Sequence, residues 1–176
     1  VDARRQLGFL SHQSLLYDDL TPLENLRFTL EHGGILLADA ACGSKRFDAS
    51  FREVVQALWP KDKYPDRQLV PIDPKENLKK NELYSREVNG FPITSVKYRR
   101  EEPVPGEKDR TQPSKDFQEG PPRLEGVKIN GRWVIIYSKY DIGCALEKHQ
   151  STDCLGHDYD SAKTLARAAI LYALRR

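Results

Sequence analysis

Residues 33–51 read GGILLADAACGSKRFDASF and determine the architecture that we expect for this chain. The glycine pair ends a helix, and the apolar run 35–38 that follows it is typical of a buried central strand. A turn of small and polar residues, 39–44, leads into a second helix, in which Phe47 and Phe51 begin an apolar stripe at helical spacing. A short turn between a buried strand and a helix is typical of a sheet covered by helices.

The same alternation is found upstream of this stretch. Residues 8–12 have the pattern of a short buried strand with a polar end. Thr21, Pro22 and Glu24 mark the start of the next helix, because Thr-x-x-Glu is a capping box and proline suits the first helical position. We therefore predict an α/β fold with an open, mostly parallel sheet and helices on both faces, in which the first two strands are parallel.

Downstream, the pattern is weaker until residue 124. Residues 69–72 contain a proline and suit a strand near a sheet edge. Residues 101–122 are charged and almost free of large apolar side chains, so we expect an exposed insertion there. Apolar segments flank Asn130-Gly131, which predicts a hairpin whose second arm joins the sheet. A last helix is expected to begin near Asp160, a candidate cap.

Composition limits the classes of function. The chain has 176 residues and a net charge of +2, which suits one domain, residues 1–176, and gives no reason to expect nucleic acid as a partner. No stretch approaches the roughly 18 apolar residues of a membrane span. The chain starts at Val1 and contains no Met. We therefore expect a piece of a longer protein, and upstream sequence would decide whether that protein is exported or tethered to a membrane.

Polar clusters follow three of the predicted strands, at residues 11–12, 39–44 and 138–141. Ligands of open α/β sheets bind in the crevice beyond the carboxyl ends of the strands, so we expect these clusters to converge on a small-molecule or protein ligand. The residues that we assign to this crevice are His12, Asp39, Cys42, Ser44, Ser138 and Asp141. The alternative is structural, because Asp39 or Ser44 can instead cap the second helix.

Cys42 is the candidate nucleophile. It lies in a small-residue turn between a buried strand and a helix, the layout of a nucleophile elbow, and a helix N-terminus favours a thiolate. A cysteine nucleophile needs a base, and His12 follows another strand end, so we assign the pair Cys42 and His12 to this hypothesis. His149 and His157 are the alternative bases. The alternative is a small buried cysteine that fills a turn.

The chain carries a second group of cysteine and histidine side chains before the last helix. These are Cys144, His149, Cys154 and His157. Their atom types suit tetrahedral zinc, the one cofactor we consider, but their spacing matches no standard zinc finger. A disulfide between Cys144 and Cys154, or side chains that are not linked at all, remain as alternatives.

Several blocks of the sequence resemble a bacterial domain of unknown function, number 4159. The matching residues are 33–44, 47, 48, 51, 124–126, 137, 138, 141, 144–147, 154, 156 and 171–174. The resemblance implies a fold similar to flavodoxin and to class I glutamine amidotransferases. It also implies that longer relatives carry α/α-toroid repeats upstream, similar to terpenoid cyclases, and that a first strand and helix precede Val1.

The resemblance implies no established activity. Cys42 stands roughly where an amidotransferase has its nucleophile, but the His-x-Glu pair of those enzymes is missing, and residues 147–149 carry Glu and His in the reverse order. This argues against glutamine hydrolysis. Our leading hypothesis is an uncharacterised ligand-binding domain. The alternatives are a cysteine-dependent hydrolase that uses Cys42, and a protein-interaction module that uses the insertion.

Overall fold

The computed structural model describes residues 17, 19–106, 111–148 and 151–175. The predicted strand near Phe9 and the candidate residues His12 and His149 lie outside the described residues. Within the described part of the chain, no helix is long and apolar enough to cross a membrane.

The described elements are helices and short strands, with β3 to β8 consecutive in the chain and helices on either side of them. The helices are α1 (Pro22–Glu31), α2 (Lys45–Leu58), α3 (Pro74–Asn77), α4 (Arg86–Asn89), α5 (Gly143–Leu146) and α6 (Tyr159–Leu174), with a 3-10 turn at Ala41–Gly43. The strands are β1 (Leu36–Asp39), β2 (Val70–Pro71), β3 (Val96–Tyr98), β4 (Glu101–Pro103), β5 (Thr111–Pro113), β6 (Gln118–Gly120), β7 (Leu124–Ile129) and β8 (Arg132–Ser138).

The main sheet has four described strands in the order β1-β8-β7-β2. Strands β1 and β8 are parallel, with Leu36 opposite Ile135, so the prediction that these two segments share a sheet is confirmed. The other neighbouring pairs, β8–β7 and β7–β2, are antiparallel. The sheet is therefore mixed, and the prediction of a mostly parallel sheet is correct only for the β1–β8 pair. The reason is the hairpin, which places β7 antiparallel to β8.

The hairpin turn is formed by the predicted residues. Asn130 and Gly131 have φ angles of 50° and 79°, and both positive values are required by the two-residue turn that matches strand twist. Opposite the step from Val127 to Lys128, β8 carries one extra residue, Val134, in a β-bulge. It places Val134 and Ile135 on one face of the sheet and Trp133 on the other.

Apolar clusters cover both faces of the sheet, as predicted. On one face, β8 contributes Trp133 and Ile136 to a cluster that contains the buried side of α6. On the other face, Ile135 and Tyr137 pack with Leu30 of α1 and the buried residues of α2. The helices on the two faces bury β8 along almost its whole length. This packing fixes the position of the carboxyl end of β8.

Local capping explains where the helices begin. Thr21 and Glu24 form the predicted capping box of α1, in which the Thr21 backbone N–H donates to the Glu24 carboxylate at 2.8 Å. The N-cap of α6 is Asp158, whose carboxylate accepts from the Ser161 N–H at 2.9 Å. The prediction that α6 begins near Asp160 is therefore two residues late, because Asp160 already lies within the first helical turn.

Residues 101–122 contain three short strands, although their composition predicted an exposed loop. Strand β4 pairs with β5, and β6 pairs with β3, all antiparallel. The buried hydroxyl of Ser114 contributes, since it accepts from the Arg100 N–H at 3.0 Å and donates to the Asp116 carbonyl at 2.9 Å. These strands form through backbone hydrogen bonds more than through apolar burial, which is why hydrophobic periodicity does not predict them.

Candidate functional site

Three segments of the chain meet beyond the carboxyl ends of β1 and β8. The Ala40 N–H donates to the Ser138 carbonyl at 2.9 Å and continues the parallel pairing past the strands. The Leu155 N–H donates to the Cys42 carbonyl at 3.2 Å, and the Asp141 N–H donates to the Leu155 carbonyl at 2.9 Å. The turn after β1, the turn after β8 and the segment before α6 therefore form one hydrogen-bonded unit.

Asp39, the last residue of β1, connects to the turn after β8. Its Oδ2 accepts hydrogen bonds from the backbone N–H groups of Ile142 and Gly143, at 3.0 and 3.1 Å. These N–H groups open the short helix α5, so the carboxylate of Asp39 acts as a cap supplied from another strand. Asp39 caps a helix, as the structural alternative proposed, but the helix is α5 and not α2.

Asp141 makes the reciprocal connection. The side chain is 1% exposed, and its Oδ2 accepts from the Cys42 backbone N–H while Oδ1 accepts from the Cys144 N–H at 2.7 Å. A buried carboxylate needs donors of this kind, because an unpaired charge in the interior costs several kcal/mol. Asp39 and Asp141 thus fasten the two strand ends to each other.

The two predicted serines also interact with backbone groups. The buried Ser138 hydroxyl donates to the Tyr140 carbonyl at 2.6 Å, which tightens the turn after β8. The Ser44 Oγ accepts from the Phe47 N–H at 3.2 Å and caps α2. The described members of the predicted crevice are therefore brought together. The hydrogen bonds of Asp39, Ser44, Ser138 and Asp141 serve the local architecture.

Cys42 has the backbone of a strained turn. Its φ of 51° lies in the left-handed region, which non-glycine residues rarely adopt and which is common at functional turns. The next residue, Gly43, has φ 65°, and a Cβ there would lie 2.7 Å from the Leu155 carbonyl oxygen. Only glycine permits this close approach between the turn and the segment before α6.

Cys42 forms a disulfide with Cys154, with α-carbons 4.3 Å apart. The bond joins residues that are 112 positions apart in the chain, and it links the turn after β1 to the segment before α6. The alternative bridge between Cys144 and Cys154 is thus not the one formed, because Cys154 lies against the 40–43 turn. While this bond is intact, Cys42 has no thiol with which to act as a nucleophile.

Cys144 is a free, half-buried cysteine beside this disulfide. Its sulfur, the Cys42 sulfur and an Asp141 carboxylate oxygen all lie within 4.8 Å of one another. Hydrogen bonding to the Asp141 side chain, followed by burial, raises the pKa of the Cys144 thiol above its ordinary value. The neutral thiol therefore predominates at pH 7, which is the opposite of an activated nucleophile.

His157 is a core histidine. Only 2% of the residue is exposed, and its Nδ1 lies 3.3 Å from the Lys97 carbonyl oxygen. Burial lowers the pKa of the imidazole to about 4, so the ring is neutral at pH 7. His157 and Cys144 line a cavity of about 10 Å³, which has room for no more than one water molecule.

The predicted zinc residues are distributed between different roles. Cys154 is in the disulfide and His157 is in the core. Among the described residues, Cys42, Asp141 and Cys144 place three donor atoms close enough together to hold a metal ion. However, the Cys42 sulfur is bonded to Cys154, and the Asp141 carboxylate already accepts hydrogen bonds from backbone N–H groups. Because His149 lies outside the described residues, the four-residue zinc set stays a prediction.

A larger cleft lies next to this unit, on the side of the α2 N-terminus. Its volume is about 290 Å³, and its walls combine charged and apolar side chains. The lining residues are Gly43, Lys45, Asp48, Glu101, Lys139, Tyr140 and Leu155. It lies beside the β1 and β8 carboxyl ends, where the crevice was expected, but none of the five described residues assigned to that crevice lines it.

Two lysines and two acidic residues line the cleft, so its walls carry charges of both signs. The Lys45 Nζ lies 2.8 Å from the Glu101 carboxylate and 3.0 Å from the Thr111 hydroxyl. Hydrogen bonding from Lys45 lowers the pKa of Glu101, which is therefore ionised at neutral pH. The Lys139 ammonium lies 5.3 Å from the centre of the Tyr140 ring. Sequence reasoning assigned neither Lys45 nor Lys139 to the crevice, although Lys139 lies within the polar cluster 138–141.

These features define a mixed α/β domain in which hydrogen bonds and a disulfide join the turns beyond two parallel strands, with a small cleft lined by charged residues beside them. The chain matches the family described as domain of unknown function (DUF4159) over residues 9–174, and it belongs to that family. No curated protein matches the chain.

Proposed function

We propose that this domain is a ligand-binding module and that its ligand occupies the 290 Å³ cleft beside the β1 and β8 carboxyl ends. The supporting observation is the position of the cleft. In open α/β sheets the crevice beyond the strand ends is the usual ligand site. Here the cleft is bounded by the first turn of α2 and by the residues that follow β8.

The size and lining of the cleft narrow the class of ligand. Small-molecule sites occupy roughly 300–1,000 Å³, so this cleft is at the lower limit and suits a compound of few atoms. Lys45 and Lys139 favour an anionic group, while Asp48 and Glu101 favour a neighbouring cationic or hydroxyl group. Leu155 and Tyr140 supply apolar contact. The ligand is therefore a small polar molecule with at least one carboxylate or phosphate.

The rigidity of the surrounding unit supports the same conclusion. Gly43 and Leu155, which line the cleft, belong to the segments joined by the Cys42–Cys154 bond and by the Asp141 carboxylate. A preorganised wall reduces the entropy that a ligand must overcome on binding. The disulfide also suggests an oxidising compartment, because such bonds persist in exported proteins and are rare in the cytosol.

The test is an NMR titration with defined probes. Inorganic phosphate, acetate, glycine and succinate are added separately to ¹⁵N-labelled protein, and the amide signals of Gly43, Lys45 and Tyr140 are followed. We expect at least one probe to shift these signals, and Lys139→Ala to weaken that response at least several-fold. Lys163→Ala, on an exposed position of α6, is the matched control and retains it. Probes that shift signals only outside the cleft contradict the proposal.

A second candidate function is cysteine-dependent hydrolysis, favoured by one observation, the left-handed backbone of Cys42 in a strand-to-helix turn. The reaction requires reduced protein, because Cys42 is otherwise in the disulfide. Reduced protein that hydrolyses a p-nitrophenyl ester faster than the Cys42→Ser variant supports this alternative. Equal rates for the two proteins exclude Cys42 as the nucleophile for that substrate.

A further inference from the structure

The three cysteines of the chain, which lie far apart in sequence, converge on one point. Cys42 is exposed and Cys144 is half-buried, whereas Cys154 is 7% exposed. The sulfur atoms of Cys42 and Cys144 lie within 4.8 Å of each other, and Cys42 is at the same time bonded to Cys154. A free thiol therefore lies next to the more accessible sulfur of an existing disulfide.

We infer that Cys42 is a shared partner and that Cys144 can displace Cys154 from it by intramolecular thiol–disulfide exchange. The Cys144 thiol gives up its proton to solvent, and the thiolate attacks the Cys42 sulfur. A Cys42–Cys144 bond forms while the Cys42–Cys154 bond breaks, and Cys154 leaves as a thiolate that takes up a proton. One thiol and one disulfide are present before and after, so the step needs no oxidant or reductant.

The surroundings of Cys144 set the conditions for exchange. Attack requires the thiolate, and the carboxylates of Asp141 and Glu147 both favour the neutral form of this thiol. The Arg99 and His157 side chains line the same cavity as Cys144. A hydrogen bond with the Cys42 backbone acts in the opposite direction. Exchange is therefore slow at neutral pH and faster in alkaline buffer.

Exchange changes what holds the segment before α6. In the present arrangement that segment is joined to the turn after β1 by the disulfide and by the hydrogen bond from Leu155 to the Cys42 carbonyl. After exchange the covalent link is lost, and the backbone hydrogen bonds and the packing of Leu155 against the core remain. Leu155 lines the cleft, so exchange would alter the cleft wall. This last consequence rests on the proposed function, whereas the exchange itself does not.

Thiol mapping of the wild-type protein tests the exchange. Protein purified without reductant is incubated in neutral or alkaline buffer, quenched with acid, denatured and labelled with N-ethylmaleimide, and the labelled cysteines are identified by mass spectrometry. We expect label on Cys144 alone after the neutral incubation, and on both Cys144 and Cys154 after the alkaline one. The ratio of label on Cys154 to label on Cys144 should not change when the protein is diluted, because the exchange is intramolecular. Label on Cys144 alone under both conditions overturns the inference, as does a ratio that falls on dilution.

Single variants provide an independent measurement. Two of the three cysteines are bonded in the wild type, which leaves one thiol per denatured chain. When the variants are likewise purified without reductant, Cys154→Ser should form the Cys42–Cys144 bond and show no free thiol. Cys42→Ser should show two free thiols. Two thiols in Cys154→Ser, with a native circular dichroism spectrum, contradict the inference. A Cys144–Cys154 bond in Cys42→Ser contradicts the assignment of Cys42 as the shared partner.

Discussion

The buried carboxylate of Asp141 accepts a hydrogen bond from the backbone N–H of Cys42, a residue 99 positions earlier in the chain. The same carboxylate accepts from the Cys144 N–H, so one side chain joins the turn after β1 to the first turn of α5. Asp39 makes the reciprocal connection to the N–H groups of Ile142 and Gly143. These two carboxylates hold together the turns that follow β1 and β8, beside which the proposed cleft lies.

Asp141→Ala should lower the free energy of unfolding substantially. Hydrogen bonds to a charged group contribute about 1.5–3 kcal/mol each, and the variant loses two of them. Urea denaturation measures the effect, with Asp153→Ala, an exposed aspartate before Cys154, as the matched control. A loss below about 0.5 kcal/mol, the range of ordinary surface changes, would show that the carboxylate does not hold the edge.

Gly43→Ala should be much more harmful than Gly90→Ala. Both glycines have positive φ, 65° and 81°, so each variant is subject to a backbone penalty of about 1–2 kcal/mol. Only at Gly43 would the new Cβ also meet another segment, 2.7 Å from the Leu155 carbonyl oxygen, whereas nothing lies within 4 Å of it at Gly90. Chemical denaturation of the two variants should therefore give unequal losses, and equal losses contradict the close approach at Leu155.

Ile135→Ala should cost about 2–5 kcal/mol, because β8 is a central strand and the Ile135 side chain is fully buried in the cluster under α1 and α2. Leu36, its parallel partner, was expected from the sequence to be a central core position. The structure places it, half-buried, in a strand at the edge of the described sheet. Leu36→Ala should therefore cost less than about 2 kcal/mol. A larger loss for Leu36→Ala than for Ile135→Ala would mean that β1 is covered more fully than the described residues indicate.

Stability should fall in acid partly through His157. Its pKa in the folded protein, about 4, lies below the ordinary value of 6.5 because the ring is buried. The neutral ring therefore contributes stability that is fully present above pH 6.5 and is lost as the pH falls towards 4, up to about 3 kcal/mol. Urea denaturation at several pH values should show a shallower loss for His157→Gln. Parallel pH profiles for the two proteins would contradict this assignment.

Elements with a local signal could be predicted from the sequence. The capping box of Thr21 and Glu24 and the Asn130-Gly131 turn each involve residues within a few positions of one another, and the structure confirms both. Apolar periodicity likewise predicted α2. The direction of the sheet was predicted less well, because the hairpin places β7 antiparallel to β8. The parallel pairing expected between the strand near Phe9 and β1 stays a prediction, since that strand lies outside the described residues.

The site was harder to predict because its contacts are long-range. The polar residues after the predicted strands indicated that Asp39, Cys42 and Asp141 lie close together, and hydrogen bonds place all three in one unit. Spacing in the sequence could not reveal that Cys154 would bond to Cys42, 112 positions away, in preference to Cys144. Nor could composition show that Lys139 lines a cleft, because a lysine after a strand has the same pattern whether it faces solvent or a ligand.

A crystallographic fragment screen tests the central claim most directly. Crystals of the oxidised protein are soaked with small carboxylates, phosphates and amino acids, and the bound positions are located in difference density. We predict that bound fragments occupy the cleft between α2 and the residues after β8, with their anionic groups within hydrogen-bond distance of Lys45 or Lys139. Fragments that bind repeatedly elsewhere on the domain, with the cleft empty of them, would contradict the account.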